Sequence, residues 1–333
     1  MVGFDYVIKE HDLIMHRVHR HEPPVSGQEI KIIYQDEKLV VIDKPGSIPV
    51  HPSGRYRHNS VTFILAHEHG LMNLYTTYRL DRLTSGLLIF TKSSKDANDI
   101  SSQIRSYDIE KGYLARVVGE FPEGKITVDQ PIFIVPDIHR KEHNRISSDG
   151  KRCITQFERI FYRNNESLVR CVPKTGRTHQ IRIHLKWLGY PIVNDPLYNE
   201  KYAQCLGPVL EISPPDTKEI EDIKAASKQF NHYNSLSKII QEKIEVNPKF
   251  QSYRPSGSKV NINSIDPSPT CRDCKKVYRT PYTHEMFICL HALSYKTKSF
   301  LYKTDLPAWA EEGYVSPDWN SIARQQSGVE EIE

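Results

Sequence analysis

The chain has 333 residues, 38% of them hydrophobic and 26% charged, with a formal net charge of +4. That length supports one large domain or two smaller ones around a sizeable core, and the slight basic excess admits a polyanionic partner without demanding one. An 18-residue apolar run is missing, which excludes a membrane-spanning helix, and six unevenly spread cysteines do not make a secreted disulfide framework, so a reduced intracellular compartment is expected.

Residues 1–28 read as an extension. His11, His16, His19 and His21 stand among Arg17 and Arg20, a spacing that fits no metal site and suits phosphate contact or plain solvation. The start has no signal-peptide core, and Asp5, Glu10 and Asp12 argue against a transit peptide, so the cytoplasm is the expected location. Pro23-Pro24 breaks structure before the core. Ile30–Tyr34 and Leu39–Ile42 flank the polar turn Gln35–Lys38 and predict a hairpin that ends at Lys44-Pro45-Gly46. His51-Pro52-Ser53-Gly54 is a loop. Val61–His69 predicts a short helix with Phe63, Ile64 and Leu71 on its apolar side.

Leu87–Thr91 is a short apolar, β-favouring run, and Thr84-Ser85-Gly86 before it is turn chemistry. Asp81 then lies on a loop leading into a core strand, between Arg79 and Arg82. Nearby positive charge keeps such a carboxylate ionised, which suits a nucleophile or base. A lone Arg-x-Asp-Arg is as a rule a surface salt bridge of small worth. Ser94–Ser106 predicts a helix capped by Ser93 or Ser94, with Ala97, Ile100 and Ile104 at helical spacing. Lys111–Gly119 alternates, placing Tyr113, Ala115 and Val117 on one strand face, where Tyr113 reads first as a core aromatic. Residues 120–150 form a loop-rich excursion with several strands. Strands follow at Lys151–Phe157 and Ser167–Val172. Thr178 is a natural N-cap for a helix running to about Leu188, with Gly189 at the C′ position and Pro191 beyond. Ile181, Leu185 and Leu188 make its stripe, and His179 and Arg182, three apart, share a face.

Residues 207–268 are rich in Pro, Lys, Ser and Asn and read as a loose or partly helical insertion without evident chemistry. Cys271 and Cys274 form a C-x-x-C that lacks a second ligand pair at clean spacing, although His284, Cys289 and His291 are in range. No metal is assigned, and these two cysteines are the place where zinc ligation would start. Pro307–Ala310 closes the core, and a polar tail follows.

Two strings change the weight of these readings. Arg79–Leu88 (R-L-D-R-L-T-S-G-L-L) resembles the R-L-D-x-x-T-S-G-L-L signature of the RluA-type pseudouridine synthases. Thr175–His184 (T-G-R-T-H-Q-I-R-I-H), with Gly189–Tyr198 (G-Y-P-I-V-N-D-P-L-Y), resembles the second signature of the same family. Tyr34–Gly54, Lys111–Gly119 and Ile288–Tyr295 resemble further family runs. Together the resemblance covers about residues 16–200 and 286–310, and the lead-in His16–Val25 looks like that of eukaryotic members. An N-terminal S4-type RNA-binding module is not detected.

The resemblance implies an α+β fold: a long, bent, mainly antiparallel mixed sheet flanked by helices, with the active-site cleft across its middle. It implies domain boundaries at 1–28 for the extension, 29–206 with 269–312 for the catalytic domain, 207–268 for the insertion and 313–333 for the tail. It further implies isomerisation of a uridine to pseudouridine, with Asp81 as the catalytic nucleophile, Arg182 as its ion-pair partner and Tyr113 beside the target base. RNA contacts are expected from Arg79, a wedge that fills the space of the flipped base, and from Tyr78, Arg82, Arg177 and His179. Tyr78 departs from the family, where His is common, so an altered RNA contact is expected there. No redox step or energy input is required, and neither a dinucleotide-binding nor a P-loop glycine motif occurs, so no cofactor is expected. RNA is the expected partner, with no membrane partner and a monomeric protein. The eukaryotic-looking lead-in, the C-x-x-C and the missing S4 module resemble fungal tRNA synthases acting on uridine 32 of the anticodon loop. A ribosomal RNA uridine, or RNA binding without catalysis on the same scaffold, are the alternatives. Some fungal relatives are fused to a zinc deaminase, but no His here is followed two residues later by Glu, so that activity is rejected.

Overall fold

The computed structural model describes residues 6–7, 9, 21–105, 109–135, 143–206, 281, 283–297 and 300–318. The predicted first hairpin forms as β1 (Lys31–Gln35) and β2 (Leu39–Lys44), paired antiparallel. Its turn is built by Asp36, whose Oδ1 accepts the backbone N–H groups of Lys38 and Leu39, each at 2.7 Å. A short acceptor side chain that replaces backbone partners is why Asp favours such turns. The chain continues through α1 (Val61–Glu68), β3 (Tyr75–Thr76), β4 (Ser85–Thr91), α2 (Ser94–Arg105) and β5 (Glu110–Val118). The excursion supplies β6 (Lys125–Asp129), β7 (Ile132–Phe133) and β8 (Arg145–Ile146). Then come β9 (Ile154–Arg163), β10 (Glu166–Pro173), α3 (Gln180–Trp187), α4 (Glu200–Leu206), β11 (Leu290–Lys296) and β12 (Leu301–Lys303).

Among the described residues, ten strands make one sheet in the order β1-β2-β4-β11-β5-β10-β9-β6, with β3 beside β4 and β12 beside β11; β7 and β8 pair separately. The β4–β11 pair is parallel and the other pairs are antiparallel, so the sheet is mixed and mainly antiparallel, with few helices, as the α+β expectation has it. Both faces of its centre are buried, which explains the unbroken apolar runs of β2 and β4. Val40, Ile42, Leu88 and Phe90 join the large core that also takes Val61 and Leu65 of α1 and Ile181 and Leu185 of α3. Val41, Leu87 and Ile89 point the other way, onto Ile100 of α2 and Tyr295.

Three local expectations are corrected. Ser85 and Gly86, read as turn residues, belong to β4; the turn is one step earlier, closed by the Thr84 N–H on the Asp81 carbonyl at 3.1 Å. Gly86 has φ 109°, and a Cβ there would stand 2.3 Å from the Ala292 carbonyl oxygen, so the close β4–β11 approach requires glycine. On α1 the fully buried residues are Val61 and Leu65; Ile64 and Leu71 pack against the core as expected, while Phe63 is half-buried against the His58 ring at 5.3 Å. The N-cap of α3 is His179, in the left-handed region at φ 57°, and not Thr178. At the far end Gly189 takes φ 87°, as the C′ reading has it.

Trp309 and Ala310 are buried and close the core. The Trp309 carbonyl accepts from Nε of Arg116, a buried cation that also reaches Glu166 at 3.3 Å and lies 5.1 Å from the Tyr314 ring centre. Residues just beyond 312 thus return to the core. The insertion 207–268 and Cys271 and Cys274 lie outside the described residues.

Candidate active site

The turn carrying Asp81 is fixed on several sides. Leu80 is buried in the core beneath it. The Leu83 carbonyl accepts the Ile288 N–H at 3.1 Å. The Arg82 carbonyl accepts from Nζ of Lys44 at 3.2 Å, and the same ammonium donates to the carbonyls of Pro45 and Ile48 at 2.8 and 2.9 Å. Lys44 is fully buried, and that burial pulls its pKa down to about 7, against the opposing pull of Asp81.

Asp81 leaves 27% of its side chain exposed, and Nη1 of Arg182 donates to its Oδ2 at 3.1 Å. Arg182 lies 101 residues away in sequence and is itself buried. Its other edge grips Asp195: Nε donates to Oδ2 at 2.7 Å and Nη2 to Oδ1 at 2.8 Å. Burial works against the guanidinium charge, but the two carboxylates outweigh it and lift the Arg182 pKa. A bidentate pair fixes a guanidinium plane as well as its charge. Tyr198 backs that plane, its ring centre 5.0 Å from the guanidinium carbon. Gln180, the first residue of α3, ties the helix to its approach loop: its amide donates to the Ile154 carbonyl and its carbonyl accepts the Arg177 N–H.

Asp81 opens onto a cavity of about 310 Å³, lined by Tyr78, Arg79, Tyr113, Arg182 and Tyr295 among others. Tyr78 stacks on Tyr295 at 4.5 Å with 13° between ring planes, and its hydroxyl donates to the Leu87 carbonyl at 2.9 Å. Burial pushes the Tyr113, Tyr78 and Tyr295 phenols up, so all three stay protonated at neutral pH. A second cavity of about 270 Å³, lined by His51, Arg82 and Leu197, shares Arg79, Asp81, His179 and Arg182 with the first. Larger clefts exist on the molecule, but neither meets Asp81 or Arg182. Beside the second cavity Arg82 lies 5.6 Å from the Tyr56 ring centre. The Tyr56 loop is held by Glu22, whose carboxylate accepts the N–H groups of Arg57, His58 and Asn59 within 2.9 Å.

The structure thus brings Asp81, Tyr113 and Arg182 to one pocket. Of the residues expected to touch RNA, Arg79 and Arg177 are exposed at its rim, Arg82 stands beside Tyr56, and His179 lies 3.7 Å from Asp81. Tyr78 is turned inward as part of the pocket wall. Lys44, Asp195, Tyr198 and Tyr295 were not singled out from sequence, although each lies within a quoted family run. His291 bonds Ser85 and Thr304 through its two ring nitrogens, at 2.9 and 2.6 Å, which leaves it no metal-binding nitrogen. Among the described residues no group of three or more His, Cys, Asp or Glu could hold a metal ion.

Residues 38–187 match the family model described as RNA pseudouridylate synthase. The human protein named Pseudouridylate synthase RPUSD2 is 36% identical over 94% of this chain and 63% of its own length. Two Saccharomyces cerevisiae proteins are similar: tRNA pseudouridine(32) synthase, mitochondrial, at 36% identity over 91% of this chain and 64% of that protein, and tRNA pseudouridine(31) synthase, at 35% over 92% and 79%. The chain therefore spans less than two thirds of the human and the mitochondrial relatives. The solved structure of Human RNA Pseudouridylate Synthase Domain Containing 4 shares the fold, with a TM-score of 0.50 at 20% identity, over 88% of this chain and 92% of that one.

Proposed function

The chain belongs to the RNA pseudouridylate synthase family, and from that footing we propose that it isomerises a uridine in the anticodon arm of tRNA to pseudouridine, with Asp81 as nucleophile. The observation that carries this reading is the Arg182–Asp81–Tyr113 pocket, in which a rigidly held carboxylate faces an aromatic-lined cavity. The target nucleotide leaves its stack to enter the pocket. Arg79, exposed at the rim, is suited to fill the vacated space, because a guanidinium plane stacks on flanking bases.

Asp81 acts at the sugar and assists cleavage of the N1–C1′ bond. Arg182 holds the carboxylate aimed; Asp195 holds Arg182. The freed uracil turns within the Tyr78–Tyr113–Tyr295 walls, where aromatic faces support it in any rotation. The C5–C1′ bond then forms, C5 gives up its proton and N1 gains one, so the product is an isomer and no electron changes hands. The buried, protonated Tyr113 serves as a stacking and hydrogen-bonding wall, not as a resting phenolate base.

Position 32 is the preferred target, from the likeness to the position-32 relative and the sequence features noted above; the position-31 relative supports the adjacent nucleotide as the second reading. Pseudouridine mapping of RNA from cells lacking the gene tests this. Loss at tRNA position 32 is the expected result, and loss at position 31 moves the assignment by one nucleotide. Loss confined to ribosomal RNA, or no loss at all, overturns the tRNA reading.

A further inference from the structure

His179 occupies an unusual place. It is the N-cap of α3 and adopts φ 57°, a left-handed conformation that a residue with a Cβ holds only when its surroundings demand it. Its side chain makes no capping bond. Its Nδ1 lies 2.9 Å from the Tyr198 hydroxyl, and its Nε2 lies 3.7 Å from Oδ2 of Asp81, the oxygen that Arg182 also meets. Tyr198 is in turn fixed by Asp195, whose Oδ1 accepts the Leu197 and Tyr198 N–H groups at 2.9 and 3.2 Å. A closed ring results: Asp81 meets Arg182, Arg182 meets Asp195, Asp195 sets Tyr198, Tyr198 sets His179, and His179 returns to Asp81.

We propose that His179 is a positioning residue for Asp81, presenting its Nε2–H as a second donor that closes on Oδ2 when RNA fills the pocket. The inference rests on the synthase reading given above and assigns His179 a task other than holding RNA. A carboxylate only accepts, so the ring nitrogen facing Asp81 carries the proton, and Nδ1 then accepts from the Tyr198 hydroxyl. Tyr198 has the proton to give, because burial pushes its pKa up. The charged and titratable groups around the ring are Asp81, Arg182, Asp195 and His143. Burial lowers the His179 pKa despite the opposing pull of Asp81, so the imidazole is neutral at pH 7. A neutral donor orients Asp81 without adding charge beside Arg182. At 3.7 Å the contact is too long for a hydrogen bond in the free protein; such contacts tighten when substrate is bound.

The test compares the single-turnover rate at saturating RNA with the RNA affinity, for wild-type protein, His179→Gly, His179→Gln and Tyr198→Phe. Glycine removes the side chain and relieves the left-handed backbone, so the variant keeps its fold, checked by thermal unfolding. Its single-turnover rate is expected to fall roughly tenfold while RNA affinity stays within about twofold. Glutamine, whose amide nitrogen can stand where Nε2 stood, restores most of the rate. Tyr198→Phe lowers the rate by less than His179→Gly. An unchanged rate, a change in RNA affinity alone, or a glutamine variant no faster than the glycine variant overturns the proposal. An inactive wild-type protein overturns the synthase reading instead, so the two failures are distinct.

Discussion

Lys44 shows how much of the site rests on a residue that never meets the substrate cavity. Its ammonium holds three carbonyls, one of them in the Asp81 turn, with no solvent around it. In the folded protein burial draws its pKa down to about 7, whereas the unfolded chain keeps the proton to the ordinary value of 10.5. Between those pH values the unfolded chain binds more protons, so this group makes stability rise with pH. Lys44→Gln removes that dependence. The stability advantage of wild type over the variant is therefore expected to grow from pH 7 to pH 10, by up to about 1.4 kcal/mol per pH unit, in urea denaturation at several pH values. An advantage that shrinks over this window would show that burial does not hold the Lys44 pKa below its ordinary value. That Asp81, Tyr113 and Arg182 would share one pocket was legible in the sequence through the family motifs that carry them. Lys44 was not, since a Lys beside Pro-Gly at a strand end looks like a solvated residue, and its carbonyl partners carry no side-chain signature. Asp195 was hidden for a similar reason: which carboxylate grips Arg182 depends on how the segment after α3 folds back.

At the level of elements, strand positions were read well, because buried β-branched runs and polar turns locate them. The faces and caps were read less well. Only tertiary packing decides that α1 buries Val61 and Leu65, and no local pattern marks His179 as left-handed. The β4–β11 contact gives a direct test. Gly86→Ala places a Cβ 2.3 Å from the Ala292 carbonyl oxygen at φ 109°. A loss of at least ~3 kcal/mol in denaturant unfolding is expected, with activity lost in parallel. Gly27→Ala, which meets nothing within 4 Å, is the control and should change stability by less than about 1 kcal/mol. Equal effects from the two changes would show that the close approach of β4 and β11 does not constrain the fold.

Across the whole molecule, the sheet order is what assembles the site. β11, from far along the chain, lies between β4 and β5 and brings Tyr295 into the wall of the Asp81 cavity, while α3 returns Arg182 to the loop before β4. None of that order is written in local pattern; the likeness to a family gave a mixed, mainly antiparallel sheet but not the order of its strands. The central claim is that the Asp81 carboxylate, held by Arg182, carries the isomerisation. It is tested most directly by release of tritium from C5 of labelled uridine in a tRNA anticodon stem-loop, comparing purified wild-type protein with Asp81→Asn. Stoichiometric release by wild type and none by the variant are predicted, with RNA affinities within a few fold of each other. Sustained release by Asp81→Asn, or none by wild type, would contradict it.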